Sequence, residues 1–171
     1  MKRCRYYWDS CLFIAWLQNE VRSDPRDMPG LEEVLKQNEE GKVIIVTSLL
    51  TALEVLGKPP SLESAGKFLD ACRKPELQVI QPNRKIIETA LKLRLTAKPN
   101  PNSPKLLGLL DAVHLATAMV TEVDELQTFD SKHLLPLSLQ PEIKIKITKP
   151  RMGQMTVESF LSEGENDEEQ E

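Results

Sequence analysis

The stretch Leu109–Val120, LLDAVHLATAMV, decides the fold of this chain. Its apolar positions recur every three to four residues, which predicts a buried helix, and its alanines let neighbouring backbone approach closely. One carboxylate, Asp111, lies in the first turn. It is either a helix cap that accepts backbone N–H groups or a ligand for a positively charged group. The stretch alone leaves both alternatives open.

Strand-like segments alternate with helical ones along the rest of the chain. We predict strands at residues 6–8, 42–46, 77–80, 125–129 and 143–147, and helices at 12–17, 31–40, 49–56, 61–72, 83–95 and 109–120. Polar, proline-containing segments at 18–30 and 96–105 predict loops. The alternation is typical of a single α/β domain with a central parallel sheet of about four to five short strands flanked by helices. Alternating apolar and basic residues at 143–147 predict an edge strand.

Four acidic residues are candidates for one site at the carboxyl edge of that sheet. Asp9 and Asp130 directly follow predicted strands. Glu54 lies in the helix after the second strand, and Asp111 heads the helix quoted above. Converging carboxylates repel one another unless a cation joins them, and Mg²⁺ or Mn²⁺ is a natural choice for oxygen ligands. Such an ion acts on phosphodiester bonds by activating water. The alternatives are that Asp9 and Ser10 cap a helix and that Glu54 faces solvent.

The composition is that of an ordinary globular protein. The 171 residues are 40% hydrophobic and 28% charged, which is enough for one core. No segment approaches the roughly 20 apolar residues of a membrane span, so we expect no membrane partner. The basic N-terminus lacks a signal-peptide core, and three cysteines show no metal-ligand spacing. We therefore expect reduced thiols and a cytoplasmic location.

The net charge of −4 conceals an acidic C-terminal segment. Residues 157–171 contain seven acids and no Lys or Arg, so the residues before them carry a net charge of +3. We expect one domain at residues 1–150 and an acidic, disordered tail at 151–171, because like charges without apolar partners do not offset the entropy of ordering. The basic residues before the tail are suited to a polyanionic partner. The alternative is that the acidic tail itself folds back onto this basic surface.

Four segments, in order, resemble the PIN-domain family, and most closely its small ribonuclease toxins of VapC type. They are YWDS at residues 7–10, VTSLLTALEVL at 46–56, LDAVHLATA at 110–118 and LQTFDSK at 126–132. The resemblance spans residues 5–150, nearly the whole chain before the acidic tail. Each segment alone is weak, whereas DAVHLATA together with TFD is specific.

The resemblance implies a PIN-like fold and a metal-dependent endoribonuclease that hydrolyses RNA phosphodiester bonds. Its metal-binding and catalytic acids would be Asp9, Glu54, Asp111 and Asp130. Among them, Asp9 and Asp111 would be the foremost direct ligands, and Glu54 and Asp130 would act directly or through metal-bound water. Among the supporting residues, Thr128 would hydrogen-bond within the site and Ser10 would lie beside it. The resemblance further implies Mg²⁺ or Mn²⁺ as cofactor, RNA as substrate, a homodimer, and a cognate antitoxin protein, as in the toxin of a type II toxin–antitoxin pair.

Cys11 departs from the family pattern, which often has Ser or Asn at this position. The replacement removes a good hydrogen-bond donor from beside the expected metal. The connection at residues 21–30 is also longer than a minimal toxin needs, and the acidic tail is an addition. These departures leave a second interpretation open, a PIN-fold binding or scaffold protein with weak or no nuclease activity, outside toxin–antitoxin biology.

The end of the first strand excludes two other classes of α/β protein. A dehalogenase-like hydrolase needs Asp-x-Asp there, which Asp9-Ser10-Cys11 lacks, and a dinucleotide-binding domain needs a glycine-rich turn, which residues 9–14 lack. Of the two histidines, His114 is expected to pack or hydrogen-bond, because Mg²⁺ prefers oxygen ligands. His133 is expected at the surface.

Overall fold

The computed structural model of the protein describes residues 3–57, 61–97 and 107–152. Within these ranges the strands are β1 (Cys4–Trp8), β2 (Val43–Ser48), β3 (Leu77–Ile80), β4 (Glu125–Gln127) and β5 (Lys146–Thr148). The helices are α1 (Ser10–Gln18), α2 (Asp27–Glu39), α3 (Leu49–Gly57), α4 (Leu62–Ala71), α5 (Arg84–Thr96) and α6 (Leu109–Val120), and a short 3₁₀ helix covers Leu135–Leu139. The predicted α/β class is confirmed.

The five strands run parallel in one sheet with the order β3-β2-β1-β4-β5. Strand β1 lies at the centre, with Tyr6 opposite Ile45 of β2 and Tyr7 opposite Leu126 of β4. The chain leaves β1 toward β2 and later returns to β4 on the other side, so the strand order reverses at β1. In open parallel sheets, ligands bind outside the carboxyl ends of the strands at such a reversal. The ends of β1 and β4 are therefore the expected place for a site.

Side chains of β1 alternate between two hydrophobic cores, because helices cover both faces of the sheet. Tyr7 belongs to the core beneath α5 and α6, whereas Tyr6 and Trp8 belong to the core beneath α1, α2 and α4. Helix α6 begins and ends at the predicted residues, packs mainly against α5, and buries every residue from Ala112 to Ala118. These packed layers fix the first turn of α6 beside the carboxyl ends of the strands.

Helix α2 begins at Asp27, earlier than predicted, so Pro29 and Gly30 are helical rather than part of a loop. Pro29 lies in the first turn, where its missing N–H removes no helical hydrogen bond. A Cβ on Gly30 would lie 2.4 Å from the carbonyl oxygen of Pro150. Lys149 also contacts both carboxylate oxygens of Asp27 at 2.9 Å. The segment after β5 therefore packs against the start of α2.

Thr47 and Ser48, predicted as the cap of a helix, belong to β2 and are fully buried. Thr47 Oγ1 donates a hydrogen bond of 2.8 Å to the carbonyl oxygen of Trp8, which joins the ends of β2 and β1. Ser48 Oγ still accepts a 3.2 Å hydrogen bond from the backbone N–H of Leu50 in α3. Strand and cap are thus combined at these two residues.

Strands β4 and β5 are shorter than predicted, and β5 occupies the predicted edge of the sheet. In the part of the chain that the structure describes, no helix is long and apolar enough to cross a membrane. The tail expected at residues 151–171 lies outside the described residues from position 153 onward, and most of the loop expected at 96–105 does too.

Candidate functional site

Asp9 directly follows β1 and is the N-cap residue of α1. It is only 4% exposed, yet both of its carboxylate oxygens are hydrogen-bonded. Oδ1 accepts from the thiol of Cys11 at 2.8 Å, and Oδ2 accepts from Thr128 Oγ1 at 2.6 Å. Burial raises the pKa of Asp9, and these hydrogen bonds offset part of the increase. The carboxylate is therefore held in one orientation at the edge of the sheet.

Cys11 and Thr128 connect Asp9 to the chain that follows β4. The backbone N–H of Phe129 donates to Cys11 Sγ at 3.1 Å, and that of Asp130 donates to Thr128 Oγ1 at 2.9 Å. Burial, with the negative charge of Asp9, raises the pKa of the Cys11 thiol well above its usual value, so the thiol keeps its proton. Cys11 thus supplies a donor where the family comparison predicted one to be missing, although a thiol donates more weakly than a hydroxyl.

Asp111, Asp130 and His133 form a close group at the opening of the site. One donor atom from each side chain lies within 4.8 Å of the other two. Asp111 lies in the first turn of α6, whereas Asp130 and His133 lie in the turn after β4. Gly108 makes room for this group, because a Cβ there would lie 2.7 Å from Asp111 Oδ2. Two carboxylates and an imidazole therefore share one small volume.

The pKa of Asp111 depends on the charged side chains around it. Its pKa is raised, chiefly by burial and next by the negative charge of Asp130. The charge of Glu54 raises the pKa further, and the two histidines, His133 and His114, act in the opposite direction. Glu54 and Asp130 therefore both lie close enough to Asp111 to disfavour its ionised form, which a bound cation would favour.

Glu54 is held by His114 rather than facing solvent freely. Its Oε2 lies 2.7 Å from His114 Nε2, and His114 Nδ1 lies 2.7 Å from the hydroxyl of Tyr7. Burial raises the pKa of Tyr7, so its phenol keeps the proton and can donate it to Nδ1. Both ring nitrogens of His114 therefore have an oxygen partner, and the ring orients the carboxylate of Glu54. His114 is 2% exposed, and the hydrogen-bonding role predicted for it is present.

The structure brings Asp111 and Asp130, two of the four predicted acids, within reach of one ion. Asp9 stands outside this close group but is linked to Asp130 through Thr128, and Glu54 influences Asp111 through its charge. Ser10 is half-buried at the start of α1. A donor set made mostly of carboxylate oxygens suits a hard divalent cation, so the residues present fit the Mg²⁺ or Mn²⁺ expected from the sequence.

His133 is the member of the close group that sequence reasoning missed. Its side chain is 41% exposed, as predicted for a surface residue, but Nδ1 lies 3.2 Å from Asp130 Oδ2. The backbone N–H groups of Lys132 and His133 also donate to Asp130 Oδ1, at 2.9 and 3.0 Å. The spacing of three residues from Asp130 was the available signal, but it becomes informative only once the turn is known.

The fold and the site together define a class of protein, namely a parallel α/β domain with carboxylates clustered beyond the ends of β1 and β4. The family model described as the PIN domain matches residues 6–135, and the chain belongs to the PIN domain family. The resemblance drawn from four sequence segments is thereby confirmed. A search of curated proteins gives no match.

Solved structures with this fold include three bacterial proteins. A toxin–antitoxin complex from Klebsiella pneumoniae matches with a TM-score of 0.59 and 21% identity over 85% of this chain and 97% of that chain. VapC20 of Mycobacterium tuberculosis, described as a sarcin–ricin loop cleaving toxin, matches with a TM-score of 0.54 and 12% identity over 74% and 90%. VapBC2 of Rickettsia felis, bound to a promoter DNA fragment, matches with a TM-score of 0.58 and 12% identity, and the match covers 85% of this chain and 97% of that chain. At these identities the likeness shows the fold.

Proposed function

We propose that this chain is an endoribonuclease that depends on a divalent metal, with Asp9, Glu54, Asp111 and Asp130 as the metal-binding and catalytic acids. The observation that carries the proposal is the close approach of Asp111 and Asp130 at the strand-order reversal of the sheet. The raised pKa of Asp111 supports it, because carboxyl groups whose pKa is raised by burial and by a neighbouring charge are typical of functional sites. Membership of the PIN domain family supports it independently.

The side chains of the site would divide the work. Asp111 and Asp130 would bind the ion directly. Asp9 is oriented by Cys11 and Thr128, and Glu54 by His114, so their carboxylates are presented in fixed positions. When bound, Mg²⁺ or Mn²⁺ would activate water and neutralise charge on the scissile phosphodiester. One of the four carboxylates would accept the proton that the attacking water releases.

We further propose an RNA substrate and an antitoxin partner, as in a type II toxin–antitoxin pair. The support is the set of structures that share this fold, which are described as a toxin–antitoxin complex, a sarcin–ricin loop cleaving toxin and a VapBC protein on promoter DNA. The net charge of +3 before the acidic segment 157–171 also favours contact with a polyanion.

A homodimer is part of the same proposal. Helix α5 carries an exposed apolar stripe at Ile87, Leu91 and Leu95, spaced four residues apart. Such a stripe on a water-exposed helix is typical of an interface. We also propose that the nuclease domain extends to residue 150, because the segment at Lys149 and Pro150 packs against α2.

The test combines thermal unfolding with cleavage of single-stranded RNA, with and without Mn²⁺ or Mg²⁺. An ion at 100 times its Kd that binds only the folded state stabilises it by about 2.7 kcal/mol, which raises the Tm by about 5–10 °C for a chain of this size. Asp111→Asn should abolish both the shift and the cleavage. Asp70→Asn is the matched control, because Asp70 is an exposed acid of α4 that pairs with Arg73 beyond the end of the helix.

The outcomes separate the two interpretations of the sequence. A metal-dependent shift together with metal-dependent cleavage supports the nuclease. A shift without cleavage of any RNA would favour a binding or scaffold protein. If the wild type shows neither a shift nor cleavage, the proposal is wrong.

A further inference from the structure

His133 lies where a ligand of the metal would lie. Its Nδ1 is 3.2 Å from Asp130 Oδ2, and a donor atom of Asp111 is within 4.8 Å of both residues. Ligands about 2.1 Å from one ion are about 3.0 Å apart when adjacent and about 4.2 Å apart when opposite. The separations in this group therefore fit a single ion after small movements of the side chains.

The turn after β4 fixes the position of this imidazole. Asp130 Oδ1 accepts from the backbone N–H groups of Lys132 and His133, which closes the turn and leaves Oδ2 facing the imidazole. The side chain of His133 is 41% exposed, so an ion and its waters can reach it without any rearrangement of the core. Rigid backbone and an accessible ring together favour a preformed ligand.

His114, the second histidine of the chain, is in the opposite situation. Both of its ring nitrogens are engaged, Nδ1 with the Tyr7 hydroxyl and Nε2 with Glu54. It is 2% exposed. Direct metal binding by His114 would break a buried hydrogen bond, so of the two histidines only His133 is available as a ligand.

We propose that His133 supplies an imidazole nitrogen to the cation held by Asp111 and Asp130. The inference rests on the proposed function, because the cation is the one that the nuclease would use. Oxygen ligands serve Mg²⁺ and Mn²⁺ alike, whereas imidazole favours transition-metal ions over Mg²⁺. His133 therefore biases the site toward Mn²⁺ and related ions.

The contact with Asp130 has a second interpretation, in which His133 only positions that carboxylate by donating a hydrogen bond. Two substitutions distinguish them. His133→Asn keeps a donor and exchanges the imidazole nitrogen for an amide oxygen, whereas His133→Asp removes the donor and offers a carboxylate oxygen. A ligand role predicts that His133→Asn weakens Mn²⁺ binding about tenfold and Mg²⁺ binding by less than about threefold. A positioning role predicts that His133→Asp is the more harmful change.

The decisive measurement is pulsed electron paramagnetic resonance of Mn²⁺ bound to the full chain, which detects the ¹⁴N nuclei of a coordinated imidazole. The wild type should show this ¹⁴N modulation, and both His133→Asn and His133→Asp should lose it. Ser131→Ala, a change at an exposed position of the same turn, is the matched control and should retain it. Calorimetric titrations with Mn²⁺ and with Mg²⁺ give the selectivity of each variant.

The outcomes for the inference and for the proposed function differ. Mn²⁺ that binds the wild type without ¹⁴N modulation overturns the role of His133 and leaves the nuclease proposal intact. Modulation that survives in His133→Asn overturns it as well. If neither Mn²⁺ nor Mg²⁺ binds the wild type, both proposals fail.

Discussion

The site consists of two halves built from the same kinds of side chain in different surroundings. The closed half comprises Asp9 and Glu54 with the residues that hold them, among which His114 is 2% exposed. The open half comprises Asp111, Asp130 and His133, whose imidazole is 41% exposed. Each half contains a carboxylate–imidazole pair, at 2.7 Å in the closed half and 3.2 Å in the open half.

The two pairs differ in the burial of the imidazole and not in that of the carboxylate, since Glu54 is 26% and Asp130 is 21% exposed. The exposure of the ring therefore limits what each pair can do. In the closed half, the hydrogen-bond partners of His114 satisfy an imidazole that is 2% exposed and would otherwise lose its hydrogen bonds on leaving water. In the open half, water remains an alternative partner, so the same contact contributes little to stability and can be exchanged for a metal. The closed half is thus suited to orientation and the open half to binding.

The largest expected effect is a difference between His114 and His133 in what each contributes to the free energy of unfolding. His114→Leu removes both hydrogen bonds of a buried ring and leaves the Tyr7 hydroxyl and Glu54 without that partner. We expect a loss of about 2–4 kcal/mol in the free energy of unfolding. The measurement is urea unfolding without metal.

His133→Leu is the matched substitution in the open half. It should change the metal-free free energy of unfolding by no more than about 0.5 kcal/mol. Equal losses for His114→Leu and His133→Leu would remove the distinction between the two halves.

An intermediate effect is expected where the halves meet, at Thr128. Its Oγ1 donates to Asp9 and accepts from the backbone N–H of Asp130, so Thr128→Val removes this hydrogen bond from both groups. Asp9 keeps the hydrogen bond from the thiol of Cys11. We expect a loss of about 1–3 kcal/mol in urea unfolding and a smaller metal-induced rise in Tm. Thr128→Ser keeps the hydroxyl and should retain most of the stability in urea and most of the metal-induced rise in Tm. If it does not, the effect of Thr128→Val comes from packing rather than from the hydrogen bonds.

The smallest effect concerns the charge of the open half. Folding raises the pKa of Asp111, so ionisation of this carboxyl group destabilises the folded state. The resulting loss in the free energy of unfolding grows as the pH rises above the pKa that Asp111 has in the unfolded chain. In a chelator, Asp111→Asn should therefore have a higher Tm than the wild type at neutral pH, with the difference shrinking as the pH is lowered toward about 4. Added Mn²⁺ should reverse the order at neutral pH. A variant that is less stable than the wild type under both conditions would contradict this.

Much of the fold could be predicted from local patterns. The bounds of α6 follow from apolar periodicity, and those of β3 from a short, mainly apolar run. The edge position of β5 follows from the alternating lysines Lys144 and Lys146, of which the second begins the strand. The start of α2 could not be predicted, because Pro29 and Gly30 normally indicate a turn. Here Gly30 is needed for contact with Pro150, which is remote in sequence.

The sequence by itself determined the α/β class, the family and the four candidate acids, because motif order and residue type are properties of the chain. Only the tertiary structure decided how the acids are grouped. Asp9 and Thr128 are 119 residues apart, and Glu54 and His114 are 60 residues apart, so no local pattern contains their hydrogen bonds. The exposure that distinguishes His133 from His114 was likewise decided by the tertiary structure, since burial depends on which layers cover a residue once the sheet and helices have packed.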